Sequence, residues 1–404
     1  MKSERLANVS EDSPKQQKLI RGDSNAAIYN MIMQPESTLL TQSQLADEVK
    51  GIYSGFVMVE AKCISVDAQQ QSLDPKSAQL APEQWQAMIA LHRTLLYEHH
   101  DFLMATQHPS ANSDLRGLAS KYCMPARMWE HGIHAFLELL RHRRPASQEY
   151  MVAFIYLAYQ MMALLYETVP SFLDTWIECL GDLARYRMAI EEDKETHATW
   201  AAIAARWYNL ALDRHPAIGR LYHHLGILER PSLRKFFYYA KALTASVPLI
   251  NARGSLEKLC NPIAQDKQAV ENKSSAEAWI IFFHANVFCE ASPNASEGSS
   301  EKALDFFEQQ PAAKIFNLGV CLVITNIAGC FEYGSPQNKF RFAFALAINN
   351  KIQSVRPSAN ADEMHSRASE PVNLPSSATS PSPALVGFSY ACFHSVVRLS
   401  LIHI

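Results

Sequence analysis

The chain has 404 residues and a formal net charge of −3, with 48% hydrophobic and 19% charged residues. This length corresponds to two or three domains, and the composition excludes both a wholly disordered chain and binding of nucleic acid through overall charge. Glycine is scarce, at 14 residues, while helix-forming residues recur in long stretches, so the sequence predicts an all-α protein.

In the first half of the chain, apolar residues at helical spacing predict a bundle of helices. The first helix is expected within 43–65, followed by a loop at 69–79. A longer helix begins at Pro82, because proline suits the first turn of a helix. The helices expected next are 114–122, 125–144, 151–168 and 170–191. The most apolar of these, 151–168, contains an apolar stretch, 151–166, that falls short of the ~20 residues that span a membrane, so we expect a core helix and no membrane partner.

The second half shows a pattern of small and aromatic residues typical of tetratricopeptide repeats. Ala204, Tyr208, Ala211 and Pro216 have the spacing of the second helix of such a repeat, although any tightly packed helical hairpin could show it. The predicted organisation has five segments: a flexible tail (1–42), a helical bundle (43–192), repeat-like hairpins (193–262), further α-hairpins (263–352) and a Ser/Pro-rich disordered tail (353–404).

The sequence contains none of the short motifs that mark common enzyme classes, such as GxGxxG, GxxxxGK[ST], GxSxG or HExxH. The eight cysteines form no CxxC pair, and adjacent histidines on a helix point about 100° apart, so they cannot share one metal ion. We therefore predict no catalytic residue, no metal and no cofactor.

A local basic region is the first candidate binding surface. Residues 206–258 carry nine Lys or Arg and three acidic residues, which gives this region a charge of +6. The rest of the chain then carries a net charge of −9. Interleaved aromatic residues could stack on bases beside cations that contact phosphates, or they could simply pack the hairpin cores. The candidate nucleic-acid-binding residues are Arg220, Arg230, Arg234, Lys235 and Lys241.

A phosphate pocket is the second candidate. His134 and Arg141 lie seven residues apart and therefore share one helix face, while Arg185 and Tyr186 lie on another helix of the predicted bundle. If these helices are neighbours, two arginines, a histidine and a phenol could converge on one phosphate. Surface ion pairing is the alternative interpretation of the same spacing.

Three segments resemble successive motifs of one known family. These are LGDLARYR at 180–187, GRLYHHLGIL at 219–228 and FFYYAKAL at 236–243. In this order they resemble the Est-one/SMG family of telomerase-associated and nonsense-mediated mRNA decay factors, and in detail its fungal branch with a "DNA/RNA-binding domain". The resemblance covers about 82–262 and continues faintly through 320–334.

The resemblance implies a 14-3-3-like helical bundle followed by TPR-like α-hairpins, an α-solenoid with disordered termini. It also implies that the bundle binds phosphorylated protein segments. In the decay factors of the family, these segments belong to an RNA helicase. Arg185 and Tyr186 match the family's phosphate-binding Arg-Tyr pair, and Arg141 matches a second basic position. Loss of Arg185 should therefore weaken phosphopeptide binding at least tenfold. His134 stands where the family usually has lysine, which predicts weaker and pH-sensitive binding.

The function expected from the sequence is a non-enzymatic adaptor that binds a phosphorylated RNA-helicase-type decay factor, with RNA or single-stranded DNA as a further partner, in the nucleus and cytoplasm. One alternative is a DNA/RNA-binding subunit associated with telomerase in telomere maintenance. A second is a protein-interaction scaffold with a degenerate phosphate pocket. The nuclease domain of some family members is not expected, because the chain reaches a Ser/Pro-rich tail instead.

Overall fold

The computed structural model describes residues 41–73, 80–273, 275–289, 299, 301–303, 305 and 312–335. The predicted disordered tail 353–404, most of the tail 1–42, and the last part of the predicted hairpins, 336–352, lie outside these residues. Within them the regular structure is helical, with one isolated β-bridge between Ile218 and Val247. The all-α prediction is therefore confirmed for the part of the chain that the structure describes.

The helical bundle predicted for the first half is formed by helices α1 to α7. Their bounds are α1 (Gln42–Gln71), α2 (Pro82–Thr106), α3 (Ser113–Lys121), α4 (Met124–Arg127), α5 (Ala135–His142), α6 (Gln148–Thr168) and α7 (Leu173–Ala189). Local signals start several of them: Thr41 and Gln44 form a capping box at α1, and Pro82 occupies the first turn of α2. These helices share one core, whose largest members are Phe56, Phe102, Phe136, Phe154 and Trp176.

Helix α1 is longer than predicted, because it runs through residues 69–71 of the expected loop. The extension carries Asp67, which is buried and lies 3.2 Å from Nε2 of the buried His92 on α2. A polar contact inside the core thus fixes this part of α1, whereas the sequence pattern showed only the loss of apolar residues.

The predicted long helix 125–144 is interrupted by a π-helical segment, Met128–His134, between α4 and α5. Its Gly132 lies against α2, where a Cβ would come within 3.1 Å of Leu96 Cδ2. The carbonyl oxygen of Gly132 lies 3.1 Å from Nδ1 of His92, so α2 supplies a partner for the π-helical backbone. This segment ends at His134 and leads directly into α5.

Helix α6, at 21 residues, is longer than the apolar stretch recognised in the sequence, and by length and composition it could cross a membrane. In the structure it contributes Met151, Phe154, Ala158, Met162 and Leu165 to the bundle core. These core contacts account for its apolar composition.

The second half consists of helices packed as successive hairpins. They are α8 (Lys194–Arg214), α9 (Gly219–Leu228), α10 (Leu233–Thr244), α11 (Ala252–Gln265), α12 (Lys267–Lys273), α13 (Ala276–Phe288) and α14 (Ala312–Cys330). Ala204, Tyr208 and Ala211, which fit the repeat pattern, are the buried residues of α8. Helix α11 continues through Pro262, so the predicted boundary at 262 falls inside a helix, held by the buried Leu256 and Cys260.

Two glycines let these helices approach closely. A Cβ at Gly181 of α7 would lie 2.7 Å from Cε1 of Tyr208, and one at Gly226 of α9 would lie 2.6 Å from Cε1 of Tyr239. Tyr208 and Tyr239 thus each rest on a glycine of a neighbouring helix.

Candidate functional site

Three carboxylates on one face of α7 join the bundle to the hairpins. Asp174, Glu178 and Asp182 are four residues apart, so they form a stripe along the helix, and each contacts α8, α9 or the turn between them. The partners are Arg214 and His215 for Asp174, Arg220 for Glu178, and Tyr208 for Asp182. Part of the basic surplus of 206–258 is therefore neutralised by the bundle.

Arg220, a predicted nucleic-acid-binding residue, belongs to this junction. Its Nε and Nη2 donate to the two carboxylate oxygens of Glu178 over 2.7–3.0 Å, a bidentate arrangement. The structure thus gives Arg220 a partner within the protein and places it at the contact between the bundle and the hairpins.

Three of the four predicted phosphate-binding residues surround one carboxylate, that of Glu138 on α5. Arg141 donates from Nε and Nη2 to both Glu138 oxygens over 2.6–3.1 Å, and the hydroxyl of Tyr186 donates to Oε1 over 2.7 Å. The exposed His134 lies one helical turn before Glu138, with its ring 6.4 Å from that of Tyr186. The helices that carry these residues are therefore neighbours at this point, and the Glu138 carboxylate already lies where the side chains meet.

Glu138 is negatively charged in this setting. Partial burial opposes ionisation, but the hydrogen bonds from Arg141 and Tyr186 and the nearby His134 outweigh it, so the pKa of Glu138 is lowered from its usual value. Burial and the neighbouring Glu138 carboxylate raise the pKa of Tyr186, which keeps its phenol protonated as a donor.

Arg185 has different partners from the other three residues. Its Nη2 donates to Asp182 Oδ1 over 2.9 Å and its Nε to the hydroxyl of Tyr208 over 3.2 Å. Burial opposes the charged form, but Asp182 and Tyr208 outweigh it, so the pKa of Arg185 is raised. Its guanidinium carbon lies 5.5 Å from the centre of the Tyr186 ring, at the edge of the Glu138 cluster.

The same three-residue arrangement therefore occurs twice. In each copy a carboxylate forms an ion pair with the arginine three residues later on its own helix. The same carboxylate accepts a hydrogen bond from the hydroxyl of a tyrosine on another helix. The first set is Glu138, Arg141 and Tyr186; the second is Asp182, Arg185 and Tyr208. The second set lies at the junction with α8, whereas Glu138 of the first set lines a cleft.

The cleft beside Glu138 has a volume of about 360 Å³. Its walls come from the end of α1 and from α5: Gln70, Gln71, Leu73, Glu138, Leu139, His142 and Arg143. The side chain of Glu138 is 26% exposed and that of Arg141 is 49% exposed, so a ligand can reach both from solvent.

The remaining nucleic-acid-binding candidates lie at the start of α10 or along it. Arg230 and Arg234 are exposed and form no ion pair with any residue that the structure describes. Lys235 donates to the carbonyl oxygen of Glu229 over 2.8 Å, and Lys241 lies 5.7 Å from the centre of the Tyr222 ring. Two of the candidates are thus open to solvent, and two are held by local contacts.

The interleaved aromatic residues of this region pack within the hairpins. Phe236 and Tyr239 are buried, and Tyr222, Phe237 and Tyr238 are partly buried against the same or neighbouring clusters. The interpretation of these rings as core residues is therefore correct, and the basic residues are left without exposed stacking platforms from this set.

No group of three or more His, Cys, Asp or Glu side chains that could hold a metal ion occurs among the residues that the structure describes. Sequence reasoning missed two acidic residues that organise the sites, Glu138 and Asp182. Both stand three residues before a predicted phosphate-binding arginine, and that spacing was the available signal.

Comparison with known proteins gives a family match in the second half of the chain and two curated relatives. Residues 204–351 match the family model described as the Est1 DNA/RNA binding domain. The chain is 27% identical over 124 residues to "EST/SMG-like protein 2" of Saccharomyces cerevisiae and 34% identical over 98 residues to "Telomerase-binding protein EST1A" of Danio rerio. These alignments cover 30% and 24% of this chain but 10% and 6% of the relatives.

Among solved structures, one titled "Structure of the C. elegans SMG5-SMG7 complex" aligns with 69% of this chain and 79% of its own chain. The sequence identity is 11% and the TM-score is 0.34. Together, the three ordered motifs, the Est1 domain match over 204–351 and the two curated relatives show that this chain is similar to Est1/SMG proteins over part of its length.

Proposed function

We propose that the chain is a non-enzymatic adaptor of nonsense-mediated mRNA decay that binds a phosphorylated segment of an RNA-helicase-type partner, in the nucleus and the cytoplasm. The observation that carries this proposal is the convergence of Arg141, Tyr186 and His134 on a single anion, the Glu138 carboxylate. A cluster that holds a carboxylate has the donors that a phosphate ester needs.

The donors suit a phosphate for specific reasons. The planar guanidinium of Arg141 can offer two parallel N–H groups to two phosphate oxygens, and the hydroxyl of Tyr186 can donate to a third. His134 adds a positive charge only in its protonated form.

Arg141→Glu is expected to lower affinity for a phosphoserine peptide at least tenfold, because it removes a charge-assisted contact and adds a repulsive charge. Fluorescence anisotropy with a pool of labelled phosphoserine peptides, and with the unphosphorylated pool, measures the effect on the full chain. Arg93→Glu is the matched control, since Arg93 is exposed on α2 and forms no ion pair with the residues described. Equal affinities of Arg141→Glu and the wild type would reject the pocket.

Arg141 is a better choice for this experiment than Arg185. Arg185 contacts Asp182 and Tyr208 at the junction of α7 and α8, so a charge reversal there also disturbs the packing of the hairpins. The tenfold loss expected from the sequence for Arg185 therefore mixes a contribution from ligand binding with one from the fold.

A second candidate function is binding of RNA or single-stranded DNA, as in a telomerase-associated subunit. It is favoured by the match to the Est1 DNA/RNA binding domain and by Arg230 and Arg234, which are exposed near the start of α10 without an ion-pair partner among the described residues. Binding would then depend on phosphate contacts and fall steeply with salt. A scaffold with a degenerate pocket is what remains if neither ligand binds.

The double substitution Arg230→Glu/Arg234→Glu is expected to weaken binding of a single-stranded oligonucleotide and to reduce the slope of log K against log salt by about 1.4, or roughly 0.7 per lost phosphate contact. Anisotropy titrations between about 50 and 200 mM salt measure both quantities. Lys62→Glu/Arg93→Glu, which reverses two exposed charges on α1 and α2, is the control. The same slope in both double variants would place the nucleic-acid contacts elsewhere.

A further inference from the structure

The Glu138 carboxylate occupies the position where the proposed ligand would bind. We propose that Glu138 is a specificity-determining residue that competes with ligands for Arg141 and Tyr186, so that this cluster accepts a phosphomonoester dianion and rejects a single carboxylate. This inference rests on the proposed phosphate-binding function and names the residue that selects its ligand.

The contacts of Glu138 use the donors that a phosphate would need. Both carboxylate oxygens accept from Arg141, and Oε1 also accepts from the hydroxyl of Tyr186 at 2.7 Å. Tyr186 is only 8% exposed, and its hydroxyl has one proton to donate, which goes to this carboxylate. A ligand that uses both the Tyr186 hydroxyl and the Arg141 Nε and Nη2 groups therefore has to replace Glu138.

The side chain of Glu138 has space to leave. It is 26% exposed, and it lines the cleft of about 360 Å³ between the end of α1 and α5. Rotation into this cleft or into solvent would release Arg141 and Tyr186 while leaving the buried helix faces, such as those with Phe136 and Leu140, in place. The exchange thus requires a side-chain movement and no rearrangement of the bundle.

Charge decides which ligands can make this exchange. Glu138 is ionised at neutral pH, as its lowered pKa indicates, so an incoming aspartate or glutamate would only substitute one carboxylate for another. A phosphoserine carries a charge of about −1.5 to −2 and three acceptor oxygens, so it gains more from Arg141, Tyr186 and His134 than the carboxylate that it displaces. The cluster should consequently distinguish a phosphoserine from an acidic residue that mimics it.

The test compares the wild type with Glu138→Gln, which keeps the size of the side chain and removes its charge. The ligands are N-acetyl-phosphoserine-N-methylamide and its aspartate analogue, titrated into the full chain while the Nε–Hε signals of arginine are followed by NMR. We expect the substitution to strengthen phosphoserine binding about tenfold, and to make aspartate binding measurable, because a neutral amide competes less well for the donors. Glu130→Gln is the matched control, since Glu130 is an exposed acid on the preceding π-helical segment.

Each outcome has a definite meaning. If the wild type binds phosphoserine and Glu138→Gln binds it equally or more weakly, Glu138 is no competitor, and the inference fails while the proposed function stands. If neither protein binds phosphoserine, both fail. Thermal melting of each variant is measured first, and Glu138→Ala, which removes the same charge, replaces the glutamine variant should that variant unfold.

Discussion

Asp182→Ala is expected to lower the free energy of unfolding by about 3–5 kcal/mol, because it leaves the largely buried guanidinium of Arg185 without its counter-ion. Asp182 accepts from Arg185 over 2.9 Å and from the hydroxyl of Tyr208 over 2.6 Å. It also lies 3.9 Å from Nδ1 of His224. Alanine would leave these groups without their shared acceptor, at the surface where α7 packs on α8 and α9.

Urea denaturation of the full chain measures this loss, and Glu178→Ala provides a comparison on the same face of α7. Its partner Arg220 is 51% exposed and can be solvated when the carboxylate is removed, so we expect a loss of about 1 kcal/mol or less. Losses of equal size in the two variants would show that Asp182 has no special role in joining the bundle to the hairpins.

Acidification from pH 7 to pH 5 is expected to destabilise the protein by several kcal/mol. Burial lowers the pKa of His99 and of His224 to about 4 and that of His284 to about 3, whereas an unfolded histidine titrates near 6.5. Between those values the unfolded chain binds protons that the folded chain does not, so stability falls as the pH falls through 6.5 toward 4. Each such histidine contributes about 2 kcal/mol at pH 5.

Urea denaturation at pH 7, 6 and 5 measures this dependence, and His99→Met isolates one contribution. Methionine fills the buried space beside Phe56 without a titratable group, so the variant should lose about 2 kcal/mol less than the wild type over this range. His197→Gln, on a half-buried position of α8, is the control. An unchanged pH dependence in His99→Met would mean that His99 is not the neutral, buried group inferred here.

Much of the helical fold could be predicted from the sequence, because apolar spacing and local caps determine where most helices begin and end. Pro82 begins α2 as expected, and Ala204, Tyr208 and Ala211 are the buried positions of α8. The end of α1 and the π-helical segment could not be predicted, since both depend on His92, a polar core residue whose partners are distant in sequence.

The candidate site was predicted in part. Helical spacing placed His134 and Arg141 on one face, and the structure brings Tyr186 to the same place. The roles of Glu138 and Asp182 could not be predicted, because a carboxylate three residues before an arginine has the spacing of an ordinary surface ion pair. Only the tyrosines that arrive from packed helices distinguish these two sets of residues from such pairs.

Helix α8 packs on α7, where the helical bundle meets the hairpins, and this contact affects how truncated versions of the protein behave. The Est1 domain match begins at residue 204, in the middle of Lys194–Arg214, and a recombinant fragment starting there would lack the N-cap Asp193 and the acceptor of Tyr208. Its exposed apolar surface would favour aggregation, and lost binding could be mistaken for a missing ligand site. Truncations have to keep α8 together with the whole bundle to avoid this error, because α7 itself buries Trp176, Leu180 and Leu183 in the bundle core.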